Sequence, residues 1–140
     1  MEITTSSPQL TEKVGFILAQ EALKQKKPLV IALKGNLGSG KTTLTKGFAK
    51  GLGIKEKITS PTFNIFKSFD FNNQGKLYHF DCYRIKNNKE ISLLGFKEIS
   101  SNPQNIVLVE WPEKIKMPKE HLVVEISFIG EKERKIIIRE

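Results

Sequence analysis

The sequence predicts an α/β fold whose central sheet is mainly parallel and carries antiparallel hairpin additions. Two continuous apolar runs of strand length, residues 29–33 and 106–109, have the composition of strands buried on both faces of a parallel sheet. Segments with apolar residues at helical spacing precede and follow the first run. Turn residues at 72–75 separate two further strand-like segments, as in a hairpin. With 140 residues, the chain has the size of a single domain spanning 1–140.

The loop after the first run, residues 35–42, reads Gly-Asn-Leu-Gly-Ser-Gly-Lys-Thr and fits the phosphate-binding pattern G-x-x-x-x-G-K-[ST]. Its glycines permit backbone angles that turn successive N–H groups toward a phosphate, and the next helix points its positive end there. Lys41 can reach the outer phosphates, and the Thr42 hydroxyl can ligate the accompanying magnesium ion. With a strand before it and a helix after it, this loop predicts a three-layer sandwich of the P-loop NTPase type.

Local patterns predict the other elements in chain order. Ser7-Pro8 is typical of a helix start, and the helix is expected to run to about Gln25 and to cover one face of the sheet. Its apolar residues at helical spacing are Leu10, Val14, Ile17 and Leu18. A second helix follows the loop, with Leu44 and Phe48 on its buried face, and ends near Gly51.

The second half of the chain is predicted to be mostly strands. They are expected at 63–71, 76–83, 106–109, 123–129 and 135–139, with a short helical segment at 89–96. In the 76–83 strand, alternation places Tyr78, Phe80 and Cys82 on one face, and Leu77, His79, Asp81 and Tyr83 on the other. Asp81 therefore lies among residues expected to be partly buried, where a carboxylate needs a partner.

Glu110 is the second candidate for the site because it directly follows the 106–109 run. In open α/β sheets, ligands bind at the carboxyl ends of the strands. Enzymes with a phosphate-binding loop usually place an acidic magnesium ligand on a strand beside the loop's own strand. The alternative interpretation of Glu110 is an ordinary surface glutamate.

Thr62, Asp81 and His79 are further candidates for chemistry. A Ser or Thr in a loop that senses the γ-phosphate often orients the attacking water, which would suit Thr62. The residues leave alternatives open: Ser60-Pro61-Thr62 is equally a plain turn, and Asp81 is equally a salt-bridge partner of Arg84. An isolated histidine such as His79 is more often packed in a core than used as a base.

Composition limits the class of protein. No apolar run approaches membrane-spanning length and no secretory signal begins the chain, so we expect a cytoplasmic protein without a membrane segment. The one cysteine, Cys82, cannot form an internal disulfide, and no Cys/His cluster has metal-ligand spacing. The formal charge of +8 suits either a solvated lysine-rich surface or attraction of nucleotide, RNA or an acidic protein. The lysines are dispersed among glutamates, which favours the solvated surface.

Four stretches together resemble the TsaE family, the small ATPases of bacterial tRNA threonylcarbamoyladenosine (t6A) biosynthesis, also called YjeE. They are the loop at 35–43, Ser-Pro-Thr-Phe at 60–63, His-Phe-Asp-Cys-Tyr-Arg at 79–84 and Val-Glu-Trp-Pro-Glu at 109–113. Their order, their spacing and the chain length agree with the family, so the resemblance covers nearly the whole chain. The loop is generic, whereas the other three stretches together are specific. Asn36 and Ser39 depart from the family's common Asp and Ala, but neither side chain is needed for the backbone cradle.

The resemblance implies a magnesium-dependent ATP-binding protein and weak ATPase, required for t6A modification of tRNA. It implies that Thr42 and Glu110 hold Mg²⁺, that Lys41, Thr62 and Asp81 serve hydrolysis, and that Trp111 lies close to the site. The implied ATP/ADP contacts are Leu37, Gly38, Ser39, Gly40, Lys41, Thr42 and Thr43 in the loop, with Pro8 and Glu133 in two elements near the base or ribose. The implied partners are the TsaB and TsaD proteins, with tRNA reached through their complex.

Three other functions remain open on the sequence. A small phosphate-loop kinase would usually need a lid with several arginines, whereas this chain has few arginines and little length for a lid. A GTPase is disfavoured because the guanine-reading Asn-Lys-x-Asp motif is missing. A nucleotide-dependent binding module with incidental hydrolysis would need the same loop and metal ligands as a working ATPase.

Overall fold

The structure, a computed structural model, describes residues 1–59, 65–71 and 75–140, and in them the chain is mixed α/β. The strands are Glu2–Thr5 (β1), Leu29–Lys34 (β2), Phe66–Phe71 (β3), Gly75–Asp81 (β4), Asn105–Glu110 (β5), Leu122–Phe128 (β6) and Arg134–Arg139 (β7). The helices are Pro8–Ala22 (α1), Lys41–Gly51 (α2), Asn88–Ser92 (α3) and Phe96–Ser101 (α4), with a 3-10 turn at Pro112–Lys114. No helix among these is long and apolar enough to cross a membrane.

The strands of the described residues form one seven-stranded sheet in the order β1-β7-β6-β2-β5-β4-β3. The four central strands, β6, β2, β5 and β4, run parallel to one another. Antiparallel pairs extend the sheet at both edges, through β7 and β1 on one side and β3 on the other. The mainly parallel centre with antiparallel additions is therefore confirmed, and the two apolar runs are the neighbouring strands β2 and β5.

Two apolar cores lie on opposite faces of this sheet. Alternate residues of β5 divide between them, because Ile106 and Leu108 belong to one core and Val107 and Val109 to the other. The first core includes buried residues of α1 and α2, and the second includes those of α3 and α4. The helices thus form a layer on each side of the sheet.

The buried face of α1 agrees with the prediction only in part, since Val14 and Leu18 pack against the first core. Ser7 caps this helix as expected, since its side chain accepts a hydrogen bond from the Leu10 N–H group. Leu10 and Ile17, however, are 44% and 51% exposed. The buried residues are instead Thr11, Gly15, Ala19 and Ala22.

The reason is a close contact between the backbones of α1 and α2. A Cβ atom at Gly15 would lie 2.9 Å from the Phe48 backbone nitrogen and closer still to the Leu44 carbonyl oxygen. A Cβ atom at Gly47 would lie 2.7 Å from the Glu12 carbonyl carbon. Small residues therefore define the contact, and larger apolar residues of α1 are left at its margin.

Two other elements differ from the sequence expectations. β1 was not predicted, because a four-residue strand gives too little alternation, and it forms by pairing with β7. The predicted helical segment at 89–96 is confirmed only as far as Ser92, where α3 ends, and Gly95 with φ of 78° precedes α4. The alternation of β4 is confirmed, with Phe80 and Cys82 in the second core and Leu77 in the first. The predicted Ser60–Phe63 segment and the turn at 72–74 lie outside the described residues.

Candidate active site

The 35–42 loop leaves the carboxyl end of β2 and leads into α2. On one side of β2, β5 runs parallel with Leu33 opposite Glu110. β4 runs parallel beside β5, with Asp81 opposite Glu110. Three predicted site segments therefore meet at the carboxyl edge of the parallel strands, where ligands bind in open α/β sheets.

Glycines give this loop its shape. Gly38 has φ of 78° and Gly40 has φ of 110°, a region that residues with a side chain rarely adopt. Gly35 provides space, because a Cβ atom there would lie 2.5 Å from Ser39 Oγ and 2.7 Å from the Ile126 carbonyl oxygen. Gly40 directly precedes α2, whose first N–H groups have no partner within the helix. The backbone is thus suited to an anion at the start of α2.

Lys41, Glu110 and His79 form a buried polar cluster beside the loop. Glu110 Oε1 lies 3.6 Å from Lys41 Nζ, and Glu110 Oε2 lies 2.6 Å from His79 Nε2. The side chains of Lys41 and Glu110 are each 10% exposed. Burial acts to raise the pKa of Glu110, but the hydrogen bond with His79 and the attraction of His79 and Lys41 outweigh it and lower the pKa below its ordinary value. The cluster therefore holds an ionised carboxylate next to the loop lysine.

Trp111 lies against this cluster. Its φ of 58° is unusual for a residue with a large side chain, and it follows directly after Glu110 at the end of β5. Lys41 Nζ lies 5.0 Å from the centre of the Trp111 ring, within the range of a cation–π contact. The Tyr83 ring packs on the Trp111 ring, with 5.0 Å between the ring centres. Lys41 is therefore held between a carboxylate and an aromatic ring.

Asp81 ends β4 beside Glu110. Its N–H group donates to the Ile65 carbonyl, and its Oδ1 atom accepts a hydrogen bond of 3.1 Å from the Tyr83 N–H group. The next residue, Cys82, is fully buried, and burial together with the nearby Asp81, Glu110 and Glu113 carboxylates raises its pKa to about 12. Asp81 is thus a partly exposed acid at the same edge, whereas Cys82 is an inert core residue.

Two elements from the ends of the chain flank the loop. Thr11 of α1 bonds through its hydroxyl to that of Thr5 at 2.7 Å, and its methyl group lies near Gly40. From the other end, Arg134 Nε donates a 2.8 Å hydrogen bond to the Ser39 carbonyl oxygen. The N-terminal element and the late charged turn, which the resemblance associates with the nucleotide, therefore both lie beside the loop.

Comparisons with known proteins agree on one family. A family model described as "Threonylcarbamoyl adenosine biosynthesis protein TsaE" matches residues 5–136 of the chain. The chain belongs to the TsaE family. The tRNA threonylcarbamoyladenosine biosynthesis protein TsaE of Bacillus subtilis is 41% identical over 136 residues, covering 94% of this chain and 80% of the relative. The protein of the same name from Haemophilus influenzae is 36% identical, covering 76% of this chain and 67% of the relative.

A solved structure has a similar fold. The crystal structure of Bacillus subtilis YdiB matches with a TM-score of 0.73 and 33% sequence identity, covering 97% of this chain and 82% of that chain. The mixed α/β architecture of this TsaE-family chain is therefore shared over nearly its whole length. The role of the family in threonylcarbamoyladenosine biosynthesis is the function that these comparisons support.

The TsaE-family site includes residues that sequence reasoning placed and residues that it missed. Thr42 and Thr43 lie in the first turn of α2, and Leu37 at the tip of the loop is 93% exposed. Thr62 lies outside the described residues. His79 was expected to be an ordinary core histidine, and its contact with Glu110 was missed. The available signal was its position two residues before Asp81 on the same face of β4.

A separate cleft of about 580 Å³ lies at the opposite end of the parallel strands. It is lined by the start of β2, by α3 and α4, and by the segment before β6. None of the predicted site residues that the structure describes lines it. The chemistry of the motif residues, and not the size of a cleft, locates the candidate site of this TsaE-family chain.

Proposed function

We propose that this chain is a magnesium-dependent ATP-binding protein and weak ATPase that is required for t6A modification of tRNA. In this proposal the fold is a P-loop NTPase sandwich, the cofactors are ATP/ADP and Mg²⁺, and the protein acts in the cytoplasm with TsaB and TsaD. The observation that carries the proposal is the 3.6 Å contact between Lys41 Nζ and Glu110 Oε1. It brings the lysine of a phosphate-binding motif together with an acidic residue on the neighbouring parallel strand, and such sites use these two groups for the phosphates and for the magnesium ion.

The site residues fit a nucleotide and a metal ion. Gly38 and Gly40 hold the loop in a conformation that exposes backbone N–H groups to an anion. Lys41 carries a buried positive charge that Glu110 now neutralises and that phosphate oxygens could neutralise instead. Thr42 and Glu110 offer a hydroxyl and a carboxylate, the oxygen ligands that Mg²⁺ prefers beside substrate phosphates. Bound magnesium would neutralise the charge that develops on the phosphates.

The remaining residues would hold ATP and position the water for hydrolysis. Leu37 to Thr43 would surround the phosphates, and Pro8 and Glu133 would contact the base or ribose. Asp81 and Thr62 would orient the attacking water, or accept a hydrogen bond from it during hydrolysis. Support for Asp81 comes from its place opposite Glu110 in the sheet register, and His79 would orient the Glu110 carboxylate through their 2.6 Å contact.

The partner proteins are proposed from the family alone. TsaB and TsaD would form the complex that attaches threonylcarbamoyl to tRNA, and hydrolysis by this chain would support turnover of that complex. Contact with tRNA would then pass through the partners, with the lysines serving mainly as a solvated surface.

The test is magnesium-dependent ATP hydrolysis by the purified chain, alone and with TsaB, TsaD and tRNA. Lys41→Ala is the active-site control, because a phosphate charge would lose its partner. Lys135→Ala, at a half-buried position of β7 outside the loop, controls for the loss of one positive charge. We expect hydrolysis to rise with the partners and to disappear in Lys41→Ala.

The formation of t6A in the same mixtures provides the second readout. Modification should require the wild-type chain or Lys135→Ala and should fail with Lys41→Ala. If hydrolysis is the same with and without partners, and if modification proceeds with Lys41→Ala, the chain is an unrelated ATPase or kinase and the proposal is wrong.

A further inference from the structure

Arg134, the first residue of β7, makes an unusual set of contacts with the backbone. Its Nε atom donates a 2.8 Å hydrogen bond to the Ser39 carbonyl oxygen in the 35–42 loop. Its Nη1 atom donates to three carbonyl oxygens of the β6–β7 turn, those of Gly130, Glu131 and Glu133, at 3.2, 3.1 and 2.9 Å. The guanidinium group therefore joins this turn to the loop, across 95 positions of sequence from Arg134 to Ser39.

The guanidinium group is itself held in place. Its carbon lies 4.3 Å from the centre of the Phe128 ring, which covers one side of the planar group. Phe128 is opposite Arg134 in the register of β6 and β7, so the same pair of strands carries both residues. Arg134 thus approaches the loop from the paired strands β6 and β7.

The Ser39 carbonyl matters because of peptide geometry. Ser39 is 1% exposed, so its carbonyl oxygen needs a partner inside the protein, and Arg134 provides one. In a planar trans peptide, the carbonyl and the next N–H group point in opposite directions. A Ser39 carbonyl held toward Arg134 therefore directs the Gly40 N–H group away from Arg134. Gly40 also has φ of 110°, a conformation that glycine adopts readily and other residues rarely do.

We propose that Arg134 is a positioning residue that holds the Ser39–Gly40 peptide in the orientation the loop needs to bind phosphate. This inference rests on the proposed function, because it takes the loop to be a phosphate site. It differs from a contact between the late turn and the nucleotide base or ribose. A positioning residue affects every ligand with a polyphosphate group, whereas a base contact affects only ligands that carry the base.

The test compares Arg134→Gln and Arg134→Lys with Arg139→Gln. Arg139 is a matched control on the same strand, where it forms an exposed ion pair with Glu125 at 3.6 Å. The probes are ATP and inorganic tripolyphosphate, each with magnesium, measured by calorimetry. We expect Arg134→Gln to weaken the binding of both probes by about tenfold or more. Arg134→Lys should recover only part of this affinity, since one ammonium group cannot bond to both segments in the same way, and Arg139→Gln should bind as wild type.

Amide hydrogen exchange gives a readout in the ligand-free protein. Exchange at Ser39 and Leu44, whose N–H groups donate to the Asn36 and Gly40 carbonyl oxygens, should accelerate in Arg134→Gln while the core strands β2 and β5 keep their protection, which separates loop release from general unfolding. The inference is wrong if only ATP binding weakens, because Arg134 would then act on the base or ribose. It is also wrong if both Arg134 variants bind tripolyphosphate as tightly as wild type. Failure of the wild-type chain to bind either probe would overturn the proposed function together with this inference.

Discussion

Replacing Glu110 with glutamine is expected to change ATP affinity in opposite directions with and without magnesium. Glu110 Oε1 lies 3.6 Å from Lys41 Nζ, so a triphosphate that binds at the loop would compete with Glu110 for the same ammonium group. Without magnesium, the carboxylate also repels the phosphates. Glutamine keeps the shape of the side chain and removes its charge, so magnesium-free ATP should bind the variant more tightly than wild type.

The contact distance sets the magnitude. Two unit charges 3.6 Å apart attract by about 5 kcal/mol at an effective dielectric constant of about 20. Most of this energy is offset, because water and the glutamine amide stabilise the Lys41 ammonium group in the ligand-free variant. We therefore expect a net gain of about 1–2 kcal/mol, or roughly 5- to 30-fold tighter binding of magnesium-free ATP. In the proposed site Glu110 is a metal ligand, so with magnesium the binding of ATP to the variant should weaken by at least about tenfold.

Calorimetric titration with ATP, in EDTA and in magnesium, measures both effects. Trp111 offers an independent signal, since it is the chain's one tryptophan and its ring centre lies 5.0 Å from Lys41 Nζ. Glu113→Gln is the matched control, because Glu113 is an exposed glutamate three residues further along the chain. Weaker binding of Glu110→Gln in both buffers would refute the competition between carboxylate and phosphate. Equal behaviour of the two variants would remove Glu110 from the site.

Three further predictions concern hydrolysis, reactivity and packing. Asp81→Asn keeps the oxygen that accepts a hydrogen bond from the Tyr83 N–H group. ATP binding should therefore remain, while turnover falls by roughly 100-fold. Full turnover in a phosphate-release assay would show that Asp81 has only a structural role. Cys82 should resist a thiol reagent at about pH 8 until denaturant is added, since it is buried and its pKa is about 12; rapid labelling of the folded chain would contradict this. Gly47→Ala should lower the free energy of unfolding in urea by about 2–3 kcal/mol, because its Cβ would overlap the Glu12 backbone. Lys46→Ala, on the exposed side of α2, is the control. A loss of stability in Gly47→Ala no larger than in Lys46→Ala would contradict the close helix contact.

The parts of the site that depend on local order could be predicted from the sequence. The loop motif places Lys41 and Thr42 at the start of a helix, because the spacing of the glycines and the lysine is itself the conformational signal. Glu110 could be placed at the carboxyl edge because it ends an apolar run that is long enough for only one buried strand. The register of β2 and β5 brings it to the loop as predicted.

Contacts between distant segments could not be predicted in this way. His79 reaches Glu110 because β4 lies beside β5, and no local pattern states which strands are neighbours. The exposure of Ile17 follows from a close backbone contact of α1 with α2, which hydrophobic spacing does not report. The glycine at position 15 was the available signal, since a glycine inside a helix often marks such an approach.

The parallel and the antiparallel strands of the sheet contribute different groups to the site. The parallel centre supplies its charged groups, because Lys41 follows β2 and Glu110 ends β5. The antiparallel edge supplies support for the loop backbone, through Arg134 at the start of β7. Changes in the centre should therefore alter the dependence on magnesium, as in Glu110→Gln, whereas changes at the edge should alter the affinity for every polyphosphate to a similar degree. If Arg134→Gln changed only the magnesium dependence of ATP binding, the antiparallel edge and the parallel centre would not act separately.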